Sequence, residues 1–344
     1  MAKNRSKIVY LCSSCGADFP KWHGQCPTCN EWGTLSEFKV SNTNSSRINT
    51  EKKETHTLEA ILHKEEVKRT SIGIKEVDRV LGGGVLSGSM ILLGGSPGIG
   101  KSTLALQTLS SFEQNVLYAS AEESEEQIAL RAKRLNVLSS NIHLSSENRI
   151  DEILNQVSLL KPQLLIIDSI QTIFNENLDS LPGSVSQIRE CGQKLLQLAK
   201  DEKIAILVIG HVTKEGVIAG PKMLEHMVDT VLYLEGDERN DHRILRSVKN
   251  RFGTTNEVGI FQMTTLGLEE VKNPSELFLA ERRNDITGST IFPSLEGTRP
   301  ILVEIQSLVS NSNFSAPQRN VNGFDFKRLS MLLAVLEKRM GYKM

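Results

Sequence analysis

The sequence predicts an α/β protein with a mainly parallel sheet, preceded by a small cysteine-rich head. Short apolar runs alternate with amphipathic segments from about residue 58 to residue 272, which indicates parallel strands covered by helices on both faces. A glycine-rich loop at residues 95–102 follows one such strand and precedes a helix-like segment. Four cysteines lie close together near the start of the chain. These observations predict a phosphate-binding α/β core with a metal-bound head.

The composition excludes a disordered or membrane-embedded protein. The 344 residues are 39% hydrophobic and 24% charged, and no apolar run is long enough for a membrane span or a signal peptide. We therefore expect a cytoplasmic protein of two or three domains with no membrane partner. The formal net charge of −1 means that contact with nucleic acid would need a local basic surface or a ring of subunits.

The head contains two Cys-x2-Cys pairs separated by ten residues, formed by Cys12 with Cys15 and Cys26 with Cys29. This spacing is typical of two facing knuckles that close a tetrahedral zinc site. A redox dithiol would need only one pair, and a disulfide is disfavoured in the cytosol. Four thiolates leave no open coordination position, so we predict a structural Zn²⁺ site in a head spanning residues 1–38.

Three further residues are predicted to be structural. Trp22 and Trp32 are the only tryptophans and fall within the head, where we expect them to pack in a small core. The alternative is that an exposed ring stacks on a base. Cys191 lies in a helix-like stretch at residues 188–198 and is expected to be a buried thiol.

Domain limits follow from changes in composition. Residues 39–57 are polar and predict a linker, residues 58–272 carry the α/β pattern, and residues 273–344 change character again. The last part is short for a domain and is expected to be the start of one that is cut short. Its final segment, residues 326–340, has helical spacing of leucines. Five apolar runs predict strands of the core: residues 90–93, 116–119, 164–167, 204–209 and 231–234.

The glycine-rich loop matches the phosphate-binding pattern Gly-x4-Gly-Lys-Ser in the strand–loop–helix context that this motif requires. The backbone N–H groups of the loop and the N-terminus of the following helix attract phosphate. We expect Lys101 to contact the β- and γ-phosphate oxygens of ATP and Ser102 to bind Mg²⁺. The predicted nucleotide-binding residues are Gly95, Ser96, Pro97, Gly98, Ile99, Gly100, Lys101, Ser102 and Thr103.

Two carboxylates at strand ends complete the predicted hydrolytic site. Asp168 ends the apolar run at residues 164–167, where we expect it to hold magnesium through water. Glu122 follows another strand and is the candidate that activates the attacking water, with Glu123 as the fallback. The alternative is that these glutamates form the acidic first turn of a helix.

Two later segments carry candidate phosphate contacts. Lys249 and Arg251 lie in Lys-Asn-Arg-Phe-Gly after a predicted strand, and in a ring they could reach the γ-phosphate of the neighbouring subunit. A solvated turn is the alternative. In the loop at residues 210–224, His211 or Thr213 could sense the γ-phosphate, and Lys214 and Lys222 could contact a nucleic-acid backbone, unless this is an ordinary surface loop.

Together these motifs resemble the RadA (Sms) family of bacterial recombination and repair proteins. The signatures are the four-cysteine head ending in Trp32-Gly33, the loop to Thr103, the segment Glu122-Glu123-Ser124 and the pentapeptide at residues 249–253. The pentapeptide is the most specific of them. Ala121 departs from the family, where glycine usually precedes the glutamate.

The resemblance implies a RecA-like DNA-dependent ATPase with helicase-type activity, a homo-hexameric ring on single-stranded DNA and branch migration of recombination intermediates. It also implies a C-terminal domain similar to Lon proteases, of which residues 273–344 would be only the beginning. A RecA-type recombinase or a replication protein is the expected protein partner. Two alternatives stay open. The protein could be an ATP-dependent Lon-like peptidase, or it could form a ring that ATP binding stabilises without driving movement and that recruits partners through the zinc head.

Overall fold

A computed structural model describes residues 7–12, 17–40, 57, 59, 69–211, 223–236, 241–279, 282, 287–311 and 318–341. The head is a three-stranded antiparallel sheet in the order β2-β1-β3, formed by β1 (Lys7–Cys12), β2 (Asp18–Phe19) and β3 (Leu35–Val40). A short antiparallel pair, β4 (Arg69–Thr70) and β5 (Val85–Leu86), opens the core.

A nine-stranded sheet forms the centre of the core. Its strands are β6 (Met90–Gly95), β7 (Val116–Ser120), β8 (Ile142–Ser145), β9 (Leu164–Asp168), β10 (Ala205–His211), β11 (Thr230–Glu235), β12 (His242–Asn250), β13 (Val258–Thr264) and β14 (Gly267–Glu270). Their order is β14-β13-β12-β11-β6-β10-β9-β7-β8. The strands from β11 to β8 pair in parallel, whereas β12, β13 and β14 add an antiparallel edge. The five predicted strands are all present within this sheet.

Helices cover both faces of the sheet. They are α1 (Lys75–Leu81), α2 (Lys101–Gln107), α3 (Glu125–Arg134), α4 (Ile150–Leu160), α5 (Val185–Glu202) and the short α6 (Met223–Met227), with a 3₁₀ turn at Thr108–Ser111. Alternate residues of β6 enter two separate cores: Ile91 packs on the side of α1 and α2, and Leu92 on the side of α4 and α5. This alternation is the physical reason that the strand is apolar along its whole length.

Parallel register brings several strand ends to one edge of the sheet. His211 pairs with Gly95, and Ser120 pairs with Asp168, so β6, β7, β9 and β10 all end near the glycine-rich loop. The first helix after β7 is α3, whose N-cap Ser124 forms a reciprocal capping box with Gln127. That cap fixes where the chain turns after β7 and therefore where Glu122 lies.

The segment after the core contains α7 (Pro274–Leu279), a hairpin of β15 (Ser289–Glu296) and β16 (Arg299–Gln306), and α8 (Phe326–Met340). The hairpin turn is anchored to the core, because Arg299 Nη1 lies 2.9 Å from the buried Glu76 Oε2. Within the described ranges, no helix is long and apolar enough to cross a membrane. The similarity of this part to Lon proteases stays a prediction.

Candidate nucleotide site and metal centre

The glycine-rich loop connects β6 to α2 at the carboxyl edge of the sheet. Two glycines are needed for its shape. A Cβ at Gly95 would come within 2.7 Å of the Leu234 carbonyl oxygen, and Gly100 has φ +115° with a Cβ position 2.7 Å from Met263. Side chains at either position would push the loop out of place. The loop therefore has the tight backbone that a phosphate cradle requires.

Lys101 occupies the cradle. Its ammonium Nζ donates to the carbonyl oxygens of Gly95 at 2.9 Å and Ser96 at 3.0 Å, and the residue is only 4% exposed. Burial lowers the pKa of Lys101, and the nearby carboxylates of Asp168 and Glu122 oppose that shift. Both of these hydrogen bonds go to neutral carbonyl oxygens, so the ammonium group can exchange them for stronger, charge-assisted bonds to phosphate oxygens.

Asp168 lies at the end of β9 beside this lysine and is 4% exposed. The buried Tyr118 hydroxyl donates to Asp168 Oδ2 at 2.6 Å. Burial raises the pKa of Asp168, while hydrogen bonds from Tyr118 and Ser102 work in the opposite direction. Burial and Asp168 also raise the pKa of Tyr118 well above its usual value, so this residue remains a donor. The hydroxyl of Ser102 and the carboxylate of Asp168 are hard oxygen ligands that fit Mg²⁺.

The two candidate glutamates, Glu122 and Glu123, have different partners in the structure. Glu122 is hydrogen-bonded to His211, with Nε2 and Oε1 3.0 Å apart, and accepts a hydrogen bond from the Ser169 hydroxyl. These contacts hold its carboxylate near Lys101, and the His211 hydrogen bond is the main reason that the pKa of Glu122 is lowered. Glu123 instead forms an ion pair with Arg131 of α3. Glu122 is therefore the better placed of the two to act on water.

The pentapeptide at residues 249–253 lies at the opposite edge of the sheet. Thr230 pairs with Asn250, whereas Leu234 pairs with Gly95 of the loop. Four residues of strand separate these pairings, about 13 Å along β11. The geometry does not bring Lys249 or Arg251 to the nucleotide loop of the same chain, so any role there would have to be in a neighbouring subunit.

The two cations of the pentapeptide have different surroundings. Lys249 Nζ donates to the carbonyl oxygens of Glu225 at 2.7 Å, His226 at 3.1 Å and Val228 at 2.8 Å, at the C-terminal end of α6. Burial is the main cause of its lowered pKa. The Arg251 side chain is 54% exposed, and its Nη1 lies 3.5 Å from Asp229 Oδ1. Arg251 is thus the more available cation, and Lys249 holds the local structure.

In the head, Cys12, Cys26 and Cys29 form a cluster whose sulfur atoms all lie within 4.8 Å of one another. Cys12 Sγ and Cys29 Sγ are 3.7 Å apart. Four thiolates at about 2.3 Å from a tetrahedral zinc ion would have sulfurs about 3.8 Å apart. The donor set and its spacing therefore fit a metal ion. Cys15, the predicted fourth ligand, lies outside the described residues.

The prediction that the tryptophans pack in the head core is wrong. Trp22 is 59% exposed and Trp32 is 74% exposed, because the small core is already filled by Cys12, Cys26 and Leu35, with Tyr10 and Phe19 packed against it. The expectation for Cys191 is confirmed: it is fully buried in α5, and burial raises the pKa of its thiol to about 12.

Sequence reasoning missed three polar residues of these sites: Tyr118, Ser169 and Asp229. Asp229 is 2% exposed and accepts from the Met90 N–H at 3.1 Å and from Lys200 Nζ at 3.0 Å. A polar residue directly before or after a buried strand was the available signal for Ser169 and Asp229. Of the residues from His211 onward that are predicted to contact phosphate, Thr213, Lys214 and Lys222 lie outside the described residues.

Comparison with known proteins gives two domain matches. The AAA domain family matches residues 60–217, and the rubredoxin metal binding domain family matches residues 10–37. These ranges contain the nucleotide loop with its carboxylates and the cysteine cluster, respectively.

Whole-chain relatives decide the family. The chain is 49% identical to the DNA repair protein RadA of Listeria monocytogenes over 99% of its own length and 76% of the relative. The chain belongs to the RadA family. Other RadA proteins, from Bacillus subtilis at 49% identity and Chlamydia pneumoniae at 51%, each match 99% of the chain and 76% of their own length.

Solved structures agree with the fold of this RadA-family chain. A KaiC-like protein from Pyrococcus horikoshii superposes with a TM-score of 0.50 at 20% identity, covering 60% of the chain and 100% of that protein. A second solved structure, an ATPase domain, gives 0.52 at 14% identity, covering 62% of the chain and 95% of that domain. At these identities the likeness concerns the fold alone. The sheet topology and the two domain matches give the RadA-family chain a RecA-like α/β core and a zinc ribbon-like head.

Proposed function

We propose that this protein is a DNA-stimulated ATPase that works as a ring, of six subunits by the family resemblance, and drives branch migration of recombination intermediates. The observation that carries the proposal is the arrangement of Glu122, Lys101 and Asp168 around the glycine-rich loop. Glu122 is held by His211 and Ser169 with its carboxylate toward the buried lysine. This is the arrangement that ATP hydrolysis needs.

Each residue has a distinct task. ATP bound with Mg²⁺ would supply the phosphoryl group that is transferred to water. Lys101 and the loop residues Gly95 to Thr103 bind the phosphates, and Ser102 and Asp168 hold the magnesium ion. Tyr118 keeps the Asp168 carboxylate oriented through its 2.6 Å hydrogen bond. Glu122 accepts the proton of the attacking water, and its lowered pKa keeps it ionised for that purpose.

The site is completed across a subunit interface. The pentapeptide lies at the edge of the sheet opposite the nucleotide loop, so it can reach only the loop of another subunit. Arg251, exposed and loosely held by Asp229, serves as the cation that stabilises the transferred phosphoryl group. Lys249 fixes the end of α6 and with it the position of Arg251.

DNA action rests on the relatives, which are named DNA repair proteins. His211 binds Glu122 and ends β10, so the nucleotide site adjoins the start of residues 212–222, where Lys214 and Lys222 are predicted to contact DNA. The head binds one Zn²⁺ ion through Cys12, Cys15, Cys26 and Cys29 and has a structural role.

The deciding experiment is the steady-state ATPase rate of the full chain with and without single-stranded DNA. We expect several-fold stimulation by single-stranded DNA, a smaller effect of duplex DNA and no activity in Lys101→Ala. An ATPase rate that single-stranded DNA leaves unchanged would contradict the motor. Tight ATP binding without turnover would favour a ring that ATP only locks, and cleavage of an unfolded protein substrate would favour a peptidase.

A further inference from the structure

The head carries two large apolar side chains that its fold does not use. Trp22 and Trp32 are 59% and 74% exposed, and they are the only tryptophans in the chain. Exposing an indole to water forgoes the burial energy that normally keeps such residues inside. Two such rings on one small, metal-anchored module indicate a binding surface.

The two rings both approach Gly24. A methyl group at Gly24 would be 3.6 Å from a ring atom of Trp32 and 3.7 Å from a ring atom of Trp22, so these ring atoms are no more than about 7 Å apart. The two exposed indoles therefore lie close together on either side of one glycine position. We call Trp22, Trp32 and Gly24 the tryptophan slot.

The backbone beneath the tryptophan slot is fixed. The Gly33 N–H donates to the Gly24 carbonyl at 2.9 Å, and Gln25 forms a β-bridge with Trp32. Cys26, a predicted metal ligand, follows Gly24 by two residues, and its N–H donates to the Glu31 carbonyl at 2.8 Å. The backbone that carries both indoles is therefore fixed before any ligand arrives, which reduces the entropy cost of binding.

We propose that the tryptophan slot binds single-stranded DNA by stacking on an unpaired base. The inference rests on the proposed function, which brings single-stranded DNA to the ring. A flat base can stack on an exposed indole, and aromatic stacking accepts any base. The exposed Lys21, next to Trp22, can contact a phosphate, while the exposed Glu31, next to Trp32, limits the net positive charge. Stacking rather than charge supplies most of the affinity, so binding should depend only weakly on salt.

Tryptophan fluorescence tests this directly, because the ATPase core contains no tryptophan and its own DNA contacts are silent. The full chain is titrated with a thymidine oligonucleotide long enough to cover the head, and with an abasic strand of the same length. We expect emission to fall at least about twofold with the first and to stay constant with the second, since only a base can stack. Trp22→Phe and Trp32→Phe report on each ring separately.

Two variants separate binding from folding. Trp32→Ala should weaken the oligonucleotide affinity seen by the remaining tryptophan about tenfold. Gly24→Ala keeps both indoles, and its added methyl would make ordinary contacts with them, so the head should fold normally while the slot is filled. It should lose the quenching and retain the wild-type zinc content.

The outcomes distinguish the slot from the motor. If single-stranded DNA stimulates ATP hydrolysis but leaves tryptophan emission unchanged, the slot assignment is wrong and the proposed function stands. If emission falls without stimulation, the slot is supported and the motor is wrong. Quenching by a proline-rich peptide at lower concentrations than by the oligonucleotide would assign the slot to a protein partner and overturn the proposal.

Discussion

The Nε2 atom of His211 lies 3.0 Å from Oε1 of Glu122, joining the end of β10 to the residue proposed to activate water. This contact links two strands of the sheet that do not pair with each other, because β9 lies between β10 and β7. His211 thereby positions the carboxylate.

Replacing Glu122 by Gln should reduce ATP turnover by about 10²–10⁴-fold, because an amide cannot accept the proton of water. Nucleotide binding should persist, since Lys101 and the loop are untouched. Single-turnover hydrolysis and equilibrium binding of a fluorescent ATP analogue measure the two effects. Glu123→Gln is the matched control, because Glu123 is paired with Arg131 and should lose far less activity. Equal losses in the two variants would contradict the assignment.

The pH dependence of the ATPase rate should report the His211 contact. The hydrogen bond from His211, with Ser169 and Lys101, lowers the pKa of Glu122 from 4.5, while burial acts against it. A lowered pKa keeps the carboxylate ionised to lower pH, so the acid limb of the wild-type profile should lie below about pH 4.5.

His211→Ala removes the hydrogen bond that lowers the pKa of Glu122, while the burial that raises this pKa remains. The acid limb should therefore move to higher pH, and the maximal rate should fall. His211→Gln restores an N–H donor and should recover part of both. A purely structural role of His211 would lower the rate without moving the limb. The profiles should be measured at saturating ATP, with thermal stability checked at each pH.

The shared site should be revealed by mixing inactive subunits. Arg251→Ala should lower turnover about 10³-fold, as expected for loss of a cation on the transferred phosphoryl group. Mixed rings of Lys101→Ala and Arg251→Ala subunits should regain activity, because some interfaces then pair an intact loop with an intact arginine. Activity no higher than that of the separate variants would place Arg251 outside the neighbouring site.

Lys249 and Arg251 should differ in what they stabilise. Lys249→Met removes donors to three carbonyl groups at the end of α6 and should lower the free energy of unfolding by about 1–3 kcal/mol. The Arg251 side chain is exposed, so Arg251→Ala should change the free energy of unfolding little while lowering turnover about 10³-fold. Chemical denaturation measures the free energy of unfolding of each variant, and ATPase assays on the same preparations measure its turnover. A stable Lys249→Met protein without activity would instead make Lys249 a direct phosphate contact.

Metal removal should expose four thiols and no more. With zinc bound, no thiol should react quickly with Ellman's reagent, because the head cysteines are coordinated and Cys191 is buried with a pKa of about 12. Chelation should release one zinc ion and four reactive thiols per chain, and Cys191 should react only after unfolding. Cys26→Ser should bind less zinc. Five fast thiols after chelation would show that the core opens with the head.

The sequence was sufficient where function depends on residues adjacent along the chain. The positions of the glycine-rich loop, Asp168 at the end of β9 and Glu122 after β7 could all be predicted, because parallel strands end at one edge of the sheet. Tyr118 could not, since its partner Asp168 is brought to it by strand register and not by spacing. The tryptophans were misassigned because a core formed by cysteines, Leu35, Tyr10 and Phe19 has no room for two indoles.

The placement of residues 249–253 on the edge opposite the nucleotide loop has a consequence for assembly. If every working site needs a loop from one chain and an arginine from the next, a lone chain has none, and an open row always has one site fewer than it has chains. Only a closed ring gives each chain a working site. Hydrolysis per chain should therefore rise steeply with protein concentration, and single-stranded DNA would accelerate the enzyme wherever it favours closure of the ring.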